Sequence, residues 1–332
     1  MNKKYELFVE SLSKSLLERL GLDGKQIYFE KRDENGMTPN GDRLFIECRV
    51  SSVGKEVCGI HIEEMYEKFL DGIPLKQIAD LIEGEIRKVK DSDIFEKTKN
   101  LNDFDKIKKD LFVRLLNRKL HEKELSKAVY QVVGDIALVL YMQVGNSNGR
   151  VISMKIRREN LKEWGLDAQT VFDTALLNTY FMSPPRIYSW KKILSNPNNE
   201  GEDFMDPNNF FQIEKGNIGS CLSTVRKTNG AVAIFIPGVA KRLADLLEGD
   251  FYLVFTSIHE VMIHSTDNSY PEDLERILKE TIRESTPKED FLTYKIYRYS
   301  RATGHFSLFY KNMMFLDLGV PKFPEEKGPS DK

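Results

Sequence analysis

The chain has few cysteines, almost no net charge and no long apolar run. Its three cysteines, Cys48, Cys58 and Cys221, are an odd number among 332 residues and form no CxxC pair. This usage excludes a disulfide framework or a zinc knuckle and fits the reducing cytoplasm. A formal net charge of −2 excludes a global basic field that would attract nucleic acid or an anionic membrane. No segment approaches the ~20 apolar residues that span a bilayer, and the first residues lack the apolar core of a signal peptide. We therefore predict a cytoplasmic protein without membrane contact.

Motifs that carry well-known chemistry are also missing. The sequence contains no P-loop, no Gly-rich dinucleotide fingerprint and no nucleophile elbow. The pair His259 and His264 resembles a zinc-protease motif, but its spacing is i and i+5, and the flanking residues predict a strand. On a strand, an odd separation places two side chains on opposite faces. We therefore predict no metal site and no cofactor.

A Gly-Asp dipeptide occurs three times, at 41–42, 134–135 and 249–250, and each copy precedes a strand-like run. A second strand-like run and then a helical pattern follow each one. Hydrophobic residues make up 41% of the chain, which is enough to bury a core. We predict an α+β fold of antiparallel β-hairpins with packed helices. The pattern favours three divergent ββα units, although Gly and Asp also precede strands simply because they are turn residues.

The length of the chain fits two domains followed by a tail. We predict an N-terminal α+β domain at 1–127, a C-terminal α+β domain at 128–316 and a flexible tail at 317–332. A long insertion loop at 183–220 is rich in Pro and Gly. It also holds aromatic residues that usually bury, namely Trp190, Phe204, Phe210 and Phe211. We expect this loop to pack on the last ββα unit.

The last ββα unit has the strongest pattern. The apolar run at 231–236 predicts a buried strand, and Pro237 is expected to open a helix. Strands are expected at 251–257 and 259–265, joined by a tight turn, and a helix from Pro271.

Two clusters in this region are candidate sites. His259 and Glu260 lie at the turn, and Asp267 follows the second strand, so the three could perform the acid–base chemistry of a hydrolase. The alternative is a turn whose polar groups bond local backbone.

The second candidate is a final hairpin at about 292–310, in which basic and aromatic residues alternate. One face would carry Lys295, Tyr297, Tyr299 and Arg301. Such a face resembles a platform for single-stranded nucleic acid, but it also resembles an ordinary exposed sheet face.

Several segments carry a resemblance to a known family. They are 229–239, with Pro237, Gly238 and Val239, then 249–253, 257–261, 160–166 and 297–300. Over about 40–310 the chain resembles an uncharacterised domain-of-unknown-function family of Gram-positive bacteria. The resemblance implies a bacterial cytoplasmic origin and an evolved fold. It implies no activity and assigns no functional residue.

Three functional hypotheses follow. The first is a non-catalytic cytoplasmic binding or regulatory protein that recognises a protein partner. The second is a hydrolase-type enzyme that uses His259, Glu260 and Asp267. The third is a nucleic-acid binder that uses the C-terminal hairpin, which the net charge does not favour.

Overall fold

A computed structural model describes most of the chain. The described residues are 3–32, 41–51, 54–90, 94–147, 150–189, 196, 199–209, 213, 219–311 and 314–324. No helix within them is both long enough and apolar enough to cross a membrane.

The chain divides into two compact units. The first contains residues 1–99 and 145–151, and the second contains residues 100–144 and 152–332. Residues 100–127, which the sequence assigns to the N-terminal domain, therefore group with the second unit. The segment 111–117 pairs along its whole length with 136–142, which explains this grouping. The predicted boundary at 127/128 stays a proposal about which parts fold independently.

The first unit combines helices with a three-stranded antiparallel sheet in the order β1-β2-β3. Its elements are α1 (Lys3–Leu20), β1 (Ile27–Glu30), β2 (Arg43–Ser51), β3 (Gly54–His61), α2 (Ile62–Leu70), α3 (Leu75–Lys90) and α4 (Ile94–Lys99). The apolar residues of α1 recur every four positions, so they form one stripe along the helix. Phe8, Leu12 and Leu16 of this stripe are buried in one core cluster with Ile46 of β2 and Ile78 of α3.

The second unit contains two sheets. Its first elements are α5 (Phe104–Ile107), the 3₁₀ helix η1 (Lys108–Asp110), β4 (Leu111–Asn117), α6 (Glu122–Leu125), β5 (Tyr130–Val133), β6 (Ile136–Ser147), β7 (Arg150–Lys155), α7 (Arg158–Trp164) and α8 (Ala168–Met182). A four-stranded sheet has the order β4-β6-β5, with β7 also paired to β6. The distal residues of the β6–β7 pair group with the first unit.

The remaining strands form a seven-stranded antiparallel sheet. Its order is β14-β13-β12-β10-β11-β9-β8. The elements are β8 (Pro185–Tyr188), β9 (Ser220–Thr224), the 3₁₀ helix η2 (Gly230–Phe235), α9 (Val239–Leu247), β10 (Phe251–Val254), β11 (Val261–Ser265), α10 (Pro271–Ser285), the 3₁₀ helix η3 (Lys288–Asp290), β12 (Tyr297–Tyr299), β13 (Phe306–Phe309) and β14 (Phe315–Gly319).

The predicted α+β fold is confirmed, and each Gly-Asp dipeptide does precede a ββα sequence. The three sequences are β2-β3-α2, β6-β7-α7 and β10-β11-α10, and each strand pair belongs to a different sheet.

The aspartates of these dipeptides share a role, because each accepts a hydrogen bond from a distant segment. The Tyr5 hydroxyl donates to Asp42 at 2.9 Å, and Arg298 Nε donates to Asp250 at 3.1 Å. Asp135 accepts hydrogen bonds from two hydroxyls, that of Thr293, which precedes β12, and that of Tyr297 within β12.

The predicted strand at 231–236 is wrong. Residues 230–235 form the 3₁₀ helix η2, and every one of them is buried. An uninterrupted apolar run has no period, so it fits a fully buried strand and a fully buried helical turn equally well. Asn229, in the left-handed region at φ 52°, precedes η2.

The predicted insertion loop at 183–220 contains an edge strand. β8 pairs with β9, and Phe204 is fully buried. Trp190, Phe210 and Phe211 lie outside the described residues.

The segment where the predicted tail begins is also ordered into the sheet. Residues 315–319 form β14, because Phe315 packs between Tyr252 and Phe309. Lys322 then exchanges backbone hydrogen bonds with Val132 of β5. Residues 325–332 lie outside the described part of the chain.

Candidate functional site

The loop between β10 and β11 is the polar end of an apolar hairpin. The strands are shorter than predicted, so residues 255–260 form a six-residue loop instead of a tight turn. Backbone bonds fix it from both sides. Ile258 N donates to Asp290 O at 2.9 Å, and Ala231 N donates to Ile258 O at 3.2 Å. His259 and Glu260 are therefore loop residues with a defined backbone.

His259 bridges two segments of the second unit. Its Nδ1 accepts a hydrogen bond from the backbone N–H of Asn229 at 2.9 Å, and its Nε2 lies 3.2 Å from Asp290 Oδ1. An Nδ1 that accepts carries no proton, so Nε2 carries it and donates to the carboxylate. The lone pair of the neutral ring is thus occupied by a backbone amide. In this arrangement His259 has no lone pair with which to accept a substrate proton.

The Glu260 carboxylate is hydrogen-bonded to other side chains than His259 is. The Thr256 hydroxyl donates to its Oε1 at 2.9 Å, and the Cys221 thiol donates to its Oε2 at 3.7 Å. Burial, and then the negative charge of Glu260, raises the pKa of the Cys221 thiol well above its ordinary value. Because the thiolate is the reactive form of cysteine, this thiol is a poor nucleophile.

Asp267 lies apart from this cluster. It follows the far end of β11, and its backbone N–H donates to the Ser265 hydroxyl at 3.3 Å. The five strand residues of β11 between Glu260 and Asp267 span on the order of 17 Å. The structure therefore places His259 beside Asp290 and leaves Asp267 at the other end of the strand.

The two histidines of the rejected zinc motif occupy different settings. His259 lies in the loop and not on a strand. The expectation that the two histidines occupy opposite faces of one strand therefore does not apply to it. His264 is buried near the far end of β11, opposite Tyr252 of β10. Among the described residues, no group of three His, Cys, Asp or Glu side chains is arranged to hold a metal ion.

The final hairpin forms as predicted from β12 and β13, but its aromatic face is buried. Tyr297 is 0% exposed and packs edge-on against Phe255, and Tyr299 packs against Phe306. The tyrosines therefore belong to the core and offer no ring to a nucleobase. Lys295 and Arg301 lie outside β12 on the surface.

The two edges of the seven-stranded sheet differ. At one edge, β8 begins with Pro185, which has no N–H, and Ile187 exchanges two backbone hydrogen bonds with Glu202. This edge is therefore covered. At the other edge, β14 pairs only with β13 within the described part of the chain.

The register shows which backbone groups of β14 face outward. Tyr310 N donates to Met314 O at 2.7 Å, and Phe309 N donates away from β14, to Ile296 O. Hydrogen-bonded and non-bonded pairs alternate in an antiparallel ladder. The N–H and C=O groups of Phe315 and Asp317 therefore point away from β13, to the open edge.

Apolar side chains surround this edge. Leu316 of β14 is 53% exposed, and the flanking Met314 and Val320 are exposed to a similar extent. Asp317 is the charged residue of β14. The backbone N–H of Gly319, and then the His305 side chain, lowers the pKa of its carboxyl group, so it is anionic at neutral pH. The alternation of Leu316, Asp317 and Leu318 is a sequence signal for this edge, and it spans the predicted start of the tail at 317.

The chain matches a family of known proteins. No curated protein and no solved structure shows significant similarity to the chain. Residues 5–301 match the family described as "Family of unknown function (DUF5688)". Since this match covers most of the chain, the protein belongs to the DUF5688 family.

Proposed function

We propose that the protein is a non-catalytic, cytoplasmic binding or regulatory protein, which recognises an extended segment of a partner protein by adding it as a strand to β14. The contrast between the two sheet edges carries this proposal. β8 is covered by Glu202, whereas β14 presents two sets of outward backbone groups within the described residues. The cysteine usage supports the reducing compartment.

The state of the candidate catalytic groups supports a binding role over hydrolysis. The lone pair of His259 is occupied by the Asn229 amide, and the Cys221 thiol stays protonated. Asp267, the third residue of the hydrolase hypothesis, lies at the other end of β11. The contacts of His259 and Cys221 instead hold the β10–β11 loop in place.

The chemistry of β14 defines the partner segment. Main-chain hydrogen bonds supply affinity in strand addition, and alternate side chains supply specificity. On one face an apolar residue would pack beside Leu316. On the other face Asp317 favours a Lys or Arg across the strands, since opposite charges attract in cross-strand pairs. The partner is therefore an extended segment in which apolar and basic residues alternate.

A pair of variants at one position tests the proposal. Asp317→Pro removes an outward N–H without removing a ladder bond, because the Asp317 N–H points away from β13. Asp317→Ala is the matched control. It removes the same carboxylate, including its bonds to Gly319 and His305, and keeps the N–H.

The partner segment can be selected from a displayed library of random linear peptides. We expect enriched peptides to bind the wild type and Asp317→Ala within a few-fold, and Asp317→Pro at least tenfold more weakly. Thermal unfolding of both variants verifies that they fold. Failure to enrich any peptide, or equal affinity for Asp317→Pro, contradicts the proposal. Dimerisation of the wild type that is lost in Asp317→Pro, seen by sedimentation velocity, would assign the edge to a second copy and also contradict it.

A further inference from the structure

One face of the four-stranded sheet carries an arginine that lies over two adjacent aromatic rings. β4 is apolar except for Arg114 and its final residue, Asn117. The Arg114 guanidinium carbon lies 5.0 Å from the ring centroid of Phe112 and 5.3 Å from that of Tyr141. Phe112 and Tyr141 are direct partners across β4 and β6, and both are buried. The rings therefore fix the guanidinium by cation–π contact.

The hydrogen bonds of Arg114 are incomplete. Nη1 donates to the Ser153 hydroxyl at 3.0 Å, whereas Nε is buried and has no hydrogen-bond partner. No carboxylate lies within ion-pair distance of Arg114 among the described residues. Burial lowers the pKa of Arg114, because enclosure disfavours the charged form. By comparison, Arg19 of α1 is exposed by only 22% and pairs with two carboxylates, Asp80 and Glu83.

The carboxylate near this face, that of Glu124, already has basic partners. Glu124 pairs with His121 at 3.1 Å and also with Lys155. The hydrogen bond from His121, and then Lys155, lowers the pKa of Glu124 to about 2. The Lys155 ammonium lies 5.9 Å from the centroid of the Tyr141 ring. The face therefore has two cations around Tyr141, of which one is neutralised.

We propose that Arg114 binds an oxyanion, a phosphate group in preference to a carboxylate. A charged group is stable in a partly buried position when an opposite charge and hydrogen bonds compensate its desolvation. The Nε and Nη2 edge of a guanidinium matches two oxygens of such an anion. The phosphate assignment rests on charge, because Arg114 has no carboxylate partner among the described residues and attracts a phosphate carrying about −1.5 to −2 more strongly than a carboxylate carrying −1.

The burial of Nε limits how a ligand reaches Arg114. Because Nε is buried, a ligand oxygen reaches this atom only when a neighbouring side chain moves. The site is on a different sheet from β14, and it stands independently of the strand-addition proposal.

Calorimetric titration with inorganic phosphate tests the site, with acetate as a second arm and sodium chloride holding the ionic strength constant. We expect saturable phosphate binding that is at least tenfold weaker in Arg114→Gln. Arg87→Gln, which removes an exposed arginine of α3 paired to Glu83, should bind as the wild type does. Arg114→Lys keeps the charge and loses the paired donors, so its affinity should lie between the two.

A measurement on the wild type keeps the proposal testable if Arg114→Gln does not fold. The ¹H–¹⁵N resonance of Arg114 Nε should shift on phosphate addition in step with the calorimetric curve. Absence of saturable binding, unchanged affinity in Arg114→Gln, or an unmoved Nε resonance overturns the proposal. Tighter binding of acetate than of phosphate overturns the phosphate assignment.

Discussion

Loss of one buried hydroxyl, in Tyr297→Phe, should lower the free energy of unfolding by about 2–3 kcal/mol. Tyr297 is fully buried, and its hydroxyl donates to Asp135 Oδ1 at 2.5 Å. The Tyr297 hydroxyl oxygen also accepts a hydrogen bond from the Asp135 backbone N–H at 3.1 Å. Hydrogen bonds to charged groups contribute about 1.5–3 kcal/mol each. The Thr293 hydroxyl still donates to the carboxylate at 2.9 Å, which holds the loss within that range.

Urea unfolding measures this loss, and the neighbouring tyrosine provides the control. Tyr299 lies in the same strand and is buried, yet its hydroxyl makes no hydrogen bond to the described residues. Tyr299→Phe should therefore change stability by less than about 0.5 kcal/mol. Equal losses in the two variants, or a loss below about 1 kcal/mol for Tyr297→Phe, would refute the reasoning.

The dependence of stability on pH in the alkaline range gives a second test of the same hydrogen bond. Burial, and then the charge of Asp135, raises the pKa of Tyr297 well above its ordinary value of 10.0. The folded state thus keeps a proton that the unfolded chain releases above pH ~10. The stabilisation is complete below that pH and is lost as pH rises toward the folded pKa. Tyr297→Phe should unfold with a shallower pH dependence above pH ~10.

Two further predictions concern positions whose environment is equally defined. Gly134 has φ +60°, and a Cβ there would lie 2.5 Å from the Tyr297 hydroxyl, whereas Gly165 has φ +62° and open space around its Cβ position. Urea unfolding should therefore show Gly134→Ala to be more destabilising than Gly165→Ala by about 1–2 kcal/mol, and equal effects would contradict this. The lowered pKa of Glu124 predicts a contribution to stability that is present above its ordinary value of 4.5 and lost as pH falls toward about 2. Since its side chain is about one-third exposed, Glu124→Gln should cost at most ~1 kcal/mol at pH 7 and less at pH 2, near its folded pKa, and an equal cost at both would exclude this role.

The parts of the fold that the sequence predicts are those with local patterns. The ββα order follows from turn residues next to runs of apolar residues, and the stripe of α1 follows from helical spacing. The buried run that forms η2 has no such period, so only its packing against β9 and β11 selects a helical turn over a strand.

The functional candidates were harder to predict, because they depend on contacts between distant residues. Asp290 is 31 positions from His259, and no nearby motif links them. Alternation correctly places Tyr297 and Tyr299 on one face, but it does not say whether that face meets solvent or the core. Arg114 is a single basic residue in an apolar strand, and its significance follows only from its contacts with the rings of Phe112 and Tyr141.

The bond between Asp135 and Tyr297 also bears on the synthesis of the chain. Its partners are 162 residues apart, and a ribosome that adds about 5–20 residues per second makes the second one roughly 8–32 s after the first. During that interval Asp135, in the β5–β6 turn, lacks the Tyr297 hydroxyl as a hydrogen-bond donor. Strand β10 is also synthesised before its neighbour β12. The seven-stranded sheet can therefore be completed only after β12, β13 and β14 have been synthesised, and until then the edge of β10 exposes unpaired backbone groups, which favour aggregation.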